Sequence, residues 1–232
     1  MSAPRAAMIM AAGLGTRMRP LTDTCPKALL TVAGRALVDH AIDHARAAAL
    51  SPIVVNLHHH AAQMRAHLAG CGVLLSDETD MLLETGGGVR RALPLLGSAP
   101  FVVLNSDAIF NGPLPVQTLL EKWDSSRMDA LLLLVARSAA RAYTRAGDFT
   151  LSSNGRPARR GDAPEAPFVY AGAQIIRPEA FADTPEGPFS ANLVWDRLLA
   201  AGRLFAVVHH GDWVDVGTPA GLEAADALLN TS

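Results

Sequence analysis

Seven consecutive apolar residues, Ala6 to Ala12, run without a polar break into Gly13-Leu14-Gly15. A strand with one wet face alternates apolar and polar side chains, so an unbroken run predicts a strand covered on both faces. Double cover is the condition of a parallel sheet flanked by helices, which narrows the chain to the α/β class. Ile53–Leu57, Val73–Leu75, Phe101–Asn105, Ala130–Ala136 and Leu204–Val208 read as further short strands. Between them, Leu37–Leu50 carries Leu37, Ala41, Ala45 and Ala48 at helical spacing, and Ala61–Leu68, Gly87–Leu96 and Val116–Trp123 also read as helices. In the second half, Phe149–Leu151 and Phe168–Ile176 are expected as strands joined by a polar hairpin or loop. Asn192–Ala201 reads as a helix, Trp213–Val216 as a short strand, and Pro219–Leu229 as a closing helix with proline near its first turn. The pattern predicts one α/β domain built on a mostly parallel sheet with helices on its faces.

Bulk properties exclude several function classes. A formal charge of −2 gives no global basic field, which argues against a nucleic-acid partner. With half its residues apolar and 18% charged, the chain is not expected to be disordered. Cys25 and Cys71 form no metal-type spacing and no disulfide framework, so a reducing cytoplasm is the expected location. The Ala6–Ala12 run is too short for a signal-peptide core, and no stretch reaches the roughly 18 apolar residues of a membrane span.

After the first strand the chain reads Gly13-Leu14-Gly15-Thr16-Arg17-Met18-Arg19-Pro20, and Pro26-Lys27 follows shortly. Two glycines let backbone N–H groups close around an anion, and Arg17, Arg19 and Lys27 add mobile positive charge. Lys27 is one of only two lysines in the chain. A triphosphate is the ligand that needs all of these features. Met18 stands where the dinucleotide fingerprint requires glycine, and the GK[ST] of a Walker loop is absent. Further on, Asp107 ends a buried strand, the place where ligands bind in open α/β sheets. Asp215 sits among apolar neighbours in Trp213-Val214-Asp215-Val216.

Ala11 to Pro20 together with Pro26-Lys27 resembles the signature of the sugar-1-phosphate nucleotidyltransferases. The resemblance implies a Rossmann-like nucleotidyltransferase fold over residues 1–232, mainly nucleotide-binding in 1–110 and mainly sugar-phosphate-binding in 111–232. It also implies that Ala12, Gly13, Gly15, Thr16, Arg17 and Lys27 hold the nucleotide phosphates. Asp107 and Asp215 would jointly hold Mg2+, and Arg17, Lys27, Asp107 and Asp215 together would form the catalytic set. The loop at Glu84, Thr85 and Gly86 would contact the nucleobase, with Asn105 beside the ribose or base. Gly147, Asp148, Ala171 and Gly172 would meet the sugar phosphate.

The implied reaction joins a nucleoside triphosphate to a sugar 1-phosphate and releases pyrophosphate. The phosphate oxygen is already ionised near neutral pH, with a second pKa of about 6, so no general base is required. Charge neutralisation and positioning carry the rate. Many members have a Glu-Lys-Pro before the second sugar contact, where this chain has Arg159-Arg160-Gly161-Asp162-Ala163-Pro164. Arg159 or Arg160 would instead meet an anionic substituent on the sugar. The Glu-Thr-Gly-Gly-Gly loop and Trp213-Val214-Asp215-Val216-Gly217-Thr218 resemble members that act on UTP and N-acetylmuramate 1-phosphate in cell-wall recycling. The alternatives are guanylyl transfer to mannose 1-phosphate and a silent regulatory subunit that binds an NDP-sugar. The expected protein is a monomer or small homo-oligomer with no membrane partner. His58-His59-His60 is expected to be structural or solvated, because adjacent histidines point apart and no acid stands at ligand spacing.

Overall fold

A computed structural model of the chain describes residues 3–230. The first strand, β1, spans Ala6–Met10, and Ala6 to Ile9 are each at most 1% exposed, as an unbroken apolar run requires. It ends where the Asn56 side chain takes over the ladder, its Oδ1 accepting from the Ala11 N–H at 2.6 Å. A small hairpin of β2 (Thr31–Val32) and β3 (Arg35–Ala36) leads into α1 (Leu37–Ala47). Next come β4 (Ile53–Leu57), α2 (Ala61–Leu68), β5 (Leu74–Asp77), α3 (Glu84–Leu96) and β6 (Phe101–Asn105). Strands β5, β4, β1 and β6 pair in that order, all parallel.

The second half begins with β7 (Ala108–Phe110), α4 (Pro115–Lys122), β8 (Ala130–Ala136) and β9 (Ala140–Arg141). It continues through β10 (Phe149–Leu151), β11 (Pro157–Arg159), β12 (Phe168–Ile176) and α5 (Asn192–Ala200). The chain closes with β13 (Leu204–His209), β14 (Trp213–Asp215) and α6 (Pro219–Asn230). β12 runs antiparallel to β6 on one side and to β8 on the other, and β13 extends the sheet parallel to β8. Among the described residues the central sheet has nine strands, and a separate three-stranded sheet has the order β7-β14-β9.

Alternation along β1 splits the core in two. Ala7 and Ile9 face the layer that includes Ala41, Ile42 and Ala45 of α1 and Met64 of α2. Ala6 and Met8 face Val89 and Ala92 of α3 and Trp195 of α5. A third, smaller cluster joins Met18, Val32, Leu37, Ile109, Val214, Ala225 and Leu228, so α6 packs beneath the loop that follows β1.

Several boundaries differ from the expectation. The α1 helix stops at Ala47, ahead of Ala49 at φ 54°, a conformation that ends the helical path. The α3 helix begins at Glu84, three residues before its expected glycine start. Strands β2, β3, β7, β9 and β11 have two or three residues each, too few to show any periodicity.

Candidate active site

The loop after β1 is shaped by what it packs on. Gly15 has φ 63°, and a Cβ there would lie 2.8 Å from Thr22 Cγ2 and 3.0 Å from Lys27 Cβ, so both conformation and space demand glycine. The Thr22 hydroxyl donates to the Gly15 carbonyl at 2.8 Å. Met18 is fully buried and pins the turn that carries Thr16 and Arg17. From the other side, a His59 ring nitrogen lies 3.4 Å from the Thr22 carbonyl, and the Gln63 amide donates to the Thr24 carbonyl. His58 meets the Glu78 carbonyl, so His58 and His59 both face backbone oxygens and form no metal cluster with each other. A cavity of about 340 Å3 results, lined by Gly13, Gly15, Thr16, Arg17, Lys27 and Asp107 among others.

Asp107 follows β6 and Asp215 ends β14. Pairing of β14 with β7 sets Asp215 opposite Ala108, and the Val216 N–H donates to the Asp107 carbonyl at 2.9 Å. The two acids are thereby brought side by side. Burial pushes the Asp215 carboxyl pKa up, and the neighbouring Asp107 charge pushes it further, against Lys27, Arg145 and Arg17. Lys27 Nζ lies 2.5 Å from Asp107 Oδ2, and Arg145 Nη2 lies 3.1 Å from Asp215 Oδ2. The Arg145 guanidinium also covers the Tyr143 ring at 5.0 Å. Arg17 lies against Gly217, where a Cβ would sit 2.8 Å from its Nη2. Two like charges held together on hard oxygen donors fit a divalent cation that completes its shell with water and phosphate oxygens.

A second cavity of about 450 Å3 opens beside the loop, lined by Ala12, Gly13, Asn56, Glu78, Glu84, Thr85, Asn105 and Ser190 among others. Asn56 ties its wall together: its Nδ2 donates to Glu78 Oε1 at 2.7 Å while its oxygen holds the Ala11 N–H. Glu78 is wholly buried, and burial raises its pKa despite the Asn56 hydrogen bond. The Thr85 hydroxyl accepts from the Ala191 N–H at 2.9 Å. The glycine run has a packing cause. A Cβ on Gly86 would strike the Phe189 ring at 2.4 Å, one on Gly87 the Gly187 carbonyl at 2.4 Å, and one on Gly88 Glu78 Oε1 at 2.7 Å. The open side of Gly86 is thus filled by Phe189, whereas Glu84 and Thr85 face the cavity.

A third cavity of about 380 Å3 lies across the acid pair. Its lining includes Asn105, Asp107, Arg145, Asp148, Arg159, Tyr170, Gly172, Gln174, Trp195 and Asp215. The register of β12 against β8 shifts between Tyr170 and Gln174, and Gly172 at φ 78° turns this bulge toward Asn105. Asp148 is fixed by the Tyr170 N–H, which donates to its Oδ2 at 3.0 Å. Gln174 is 3% exposed, and its Oε1 accepts from Trp195 Nε1 at 2.8 Å. An indole nitrogen only donates, so the Gln174 amide must present its NH2 elsewhere. Gly147 and Ala171 stand behind the wall: a Cβ on Gly147 would lie 2.2 Å from the Ala166 carbonyl, and the Ala171 carbonyl accepts from Trp213 Nε1 at 3.0 Å. Arg160 donates to the Ala163 carbonyl and does not line the cavity.

The structure thus brings Ala12, Gly13, Gly15, Thr16, Arg17, Lys27, Glu84, Thr85, Asn105, Asp107, Asp148, Gly172 and Asp215 to one continuous depression. Arg145, Gln174, Trp195 and Glu78 join them without having been singled out from sequence. Gln174 had a readable signal, a lone amide inside the apolar run Phe168–Ile176. Arg145 had none, lying in an irregular segment between β9 and β10.

Comparison with known proteins extends the likeness across the chain. Residues 7–178 match the family described as the MobA-like NTP transferase domain. The chain is 44% identical over 237 aligned residues to the N-acetylmuramate alpha-1-phosphate uridylyltransferase of Caulobacter vibrioides, covering 98% of each. It is 36% identical to the protein of the same description from Neisseria meningitidis, covering 96% of this chain and 97% of that one. In fold it is similar to the inositol-1-phosphate CTP transferase of T. maritima, with a TM-score of 0.78 at 16% identity over 99% of this chain and 97% of that one. Among the described residues no helix is long and apolar enough to cross a membrane.

Proposed function

The chain belongs to the MobA-like NTP transferase family, and we propose that it transfers a uridylyl group from UTP to N-acetylmuramate 1-phosphate, releasing pyrophosphate. One observation carries the reading: Asp107 lines all three cavities, so a nucleotide on the loop side and a sugar phosphate on the other meet across a single carboxylate. The two uridylyltransferase relatives, matched over nearly their whole length, favour this pair of substrates over guanylyl transfer to mannose 1-phosphate. The presence of Arg17, Lys27, Asp107 and Asp215 together favours an active enzyme over a silent NDP-sugar-binding subunit.

Geometry supports the following division of labour. Backbone N–H groups of the Gly13–Thr16 loop, with Arg17 and Lys27, bind the triphosphate and offset the charge that builds on the departing pyrophosphate. Glu84, Thr85 and Asn105 border the cavity suited to base and ribose. Arg145, beside Asp215, receives the incoming sugar phosphate and offsets repulsion between the two anions. Asp148 and the NH2 of Gln174 orient the sugar ring from below, so the phosphate oxygen attacks in line without loss of a proton. Asp107 and Asp215 would hold Mg2+, which supplies further neutralisation of the reacting phosphates. We place the reaction in the cytoplasm, which suits the two free cysteines, Cys25 and Cys71.

The test is a matrix of nucleoside triphosphates against sugar 1-phosphates, read by pyrophosphate release with magnesium. UTP with N-acetylmuramate 1-phosphate should give the highest kcat/KM. Preference for GTP with mannose 1-phosphate would overturn the substrate assignment and keep the reaction class.

A further inference from the structure

Two arginines line the sugar cavity, and they stand in different settings. Arg145 lies beside Asp215, at the end where the sugar phosphate must approach the nucleotide. Arg159 belongs to β11, and its register partner is Phe149 of β10. Its guanidinium covers the Phe149 ring at 4.9 Å and the Trp195 ring at 5.4 Å. Its Nε and Nη2 both bond to Asp196 Oδ1, at 3.0 and 2.8 Å. These bonds use two of the five N–H groups of a guanidinium and leave the Nη1 end for another partner.

The Arg159–Asp196 pair contributes little to stability. The side chains are 32% and 61% exposed, and water screens an ion pair in that position. What the pair does is fix orientation. Asp196 grips one edge from α5, two aromatic faces hold the plane, and Arg159 takes its place in the cavity wall with its rotamer already chosen. A preorganised planar fork is the group best matched to a carboxylate. Asp196 does not line the cavity, and its bonds go to Nε and Nη2, so the Nη1 group keeps its own N–H donors for a ligand. Asp148, the acid of the same wall, gives one oxygen to the Tyr170 N–H and serves as an acceptor for sugar hydroxyls. Arg160, the other candidate from sequence, is turned to the Ala163 carbonyl.

We propose that Arg159 is the specificity-determining residue of the sugar cavity, reading a carboxylate on the sugar ring and so selecting acidic sugar 1-phosphates over neutral ones. The inference rests on the substrate reading above, since N-acetylmuramate differs from N-acetylglucosamine only by an ether-linked lactyl group that carries the acid.

The experiment measures kcat/KM with UTP for N-acetylmuramate 1-phosphate and for N-acetylglucosamine 1-phosphate, in the wild type, Arg159→Met and Arg159→Lys. The wild type should prefer the acidic sugar by at least about tenfold, a margin expected when a polar contact is left unpaired. Arg159→Met should abolish that preference by raising KM for the acidic sugar, with turnover of the neutral sugar kept within about threefold, a smaller change than loss of such a contact gives. Arg159→Lys keeps the charge but loses the fork and should show an intermediate preference. If Arg159→Met fails to fold because two rings lose their cover, Arg159→Lys and Asp196→Ala decide the matter. Both should raise KM for the acidic sugar and leave the neutral one unchanged. A preference undiminished in these variants overturns the role of Arg159 alone. A wild type that shows no preference for the acidic sugar overturns the substrate reading itself.

Discussion

Lys27 and Asp107 lie 80 positions apart in the chain, yet Nζ of the first stands 2.5 Å from Oδ2 of the second. The contact joins the loop that follows β1 to the turn that follows β6, two neighbouring parallel strands whose ends open on the same side. In this state the lysine occupies one oxygen of an acid assigned to the metal. Substrate phosphate would give Lys27 a new partner and release that oxygen, so nucleotide and metal should bind more tightly together than either does alone.

Asp107→Ala and Asp215→Ala should each leave a folded protein whose kcat falls at least ~10²-fold, the loss typical of one electrostatic partner of a transition state. Steady-state rates at saturating magnesium, with circular dichroism as the folding control, provide the check. Turnover near the wild-type value in either variant would remove that residue from the site.

Gly217→Ala probes the other arm of the loop. The new methyl would meet only the tip of Arg17, at 2.8 to 3.1 Å, so the side chain can swing aside and the fold should hold. The Tm should stay within about 2 °C, as expected of a change below roughly 0.5 kcal/mol. Misplacement of the guanidinium should still lower kcat/KM by ~10 to 100-fold. A large loss of stability would mean that Gly217 serves packing and not the placement of Arg17.

Gln174→Leu separates fold from recognition by size. It strands the Trp195 N–H in the interior, which should cost about 1–3 kcal/mol. It also removes the NH2 that we propose orients the sugar, and KM for the sugar phosphate should rise about tenfold while KM for UTP is unchanged. Urea unfolding and initial rates measure the two effects independently. An unaltered sugar KM would confine Gln174 to the wall.

Acid sensitivity should come from behind the site. His44 is edge-on to Phe110 at 5.8 Å, and burial, then the charges of His40 and His209, push its pKa from 6.5 down to about 4, with Asp43 pulling the other way. A folded pKa below the unfolded one means that the unfolded chain takes up the proton first. Stability from this group is therefore complete above pH 6.5 and is lost as pH falls from 6.5 to 4. The full loss is about 3 kcal/mol, because each pH step between the two pKa values removes about 1.36 kcal/mol. Denaturant melts of the wild type and His44→Leu at about pH 7 and about pH 4.5, either side of most of that window, should show the wild type losing more stability than the variant. Equal losses would rule out His44 as the origin.

Much of this site is legible in the sequence, for a physical reason. Gly13, Gly15, Arg17 and Lys27 act as one local segment, so their spacing in sequence is their spacing in space. Asp107 is legible because a carboxylate at the end of a buried strand stands at the mouth of the sheet, where ligands bind. The sugar wall is different. Gln174, Trp195 and Arg159 meet only because β12 bulges at Gly172 and α5 packs over β10 and β11, relationships that no local pattern encodes. The glycines of Gly86–Gly88 are visible, but backbone freedom suggests a base against the chain, whereas the space they leave is filled by Phe189, Gly187 and Glu78. Arg145 lies in a segment without periodicity, and only its distance to Asp215 marks it.

The two acids ride on different layers. Asp107 lies just beyond a strand of the large sheet, while Asp215 belongs to the three-stranded β7-β14-β9 unit, and β7 begins at the residue next to Asp107. The pair is therefore a caliper whose jaws sit on separate sheets, with the smaller jaw braced by α6 and Met18. Loosening that brace would part the carboxylates while the nine-stranded sheet stayed whole, so the enzyme should fall silent on warming before it melts.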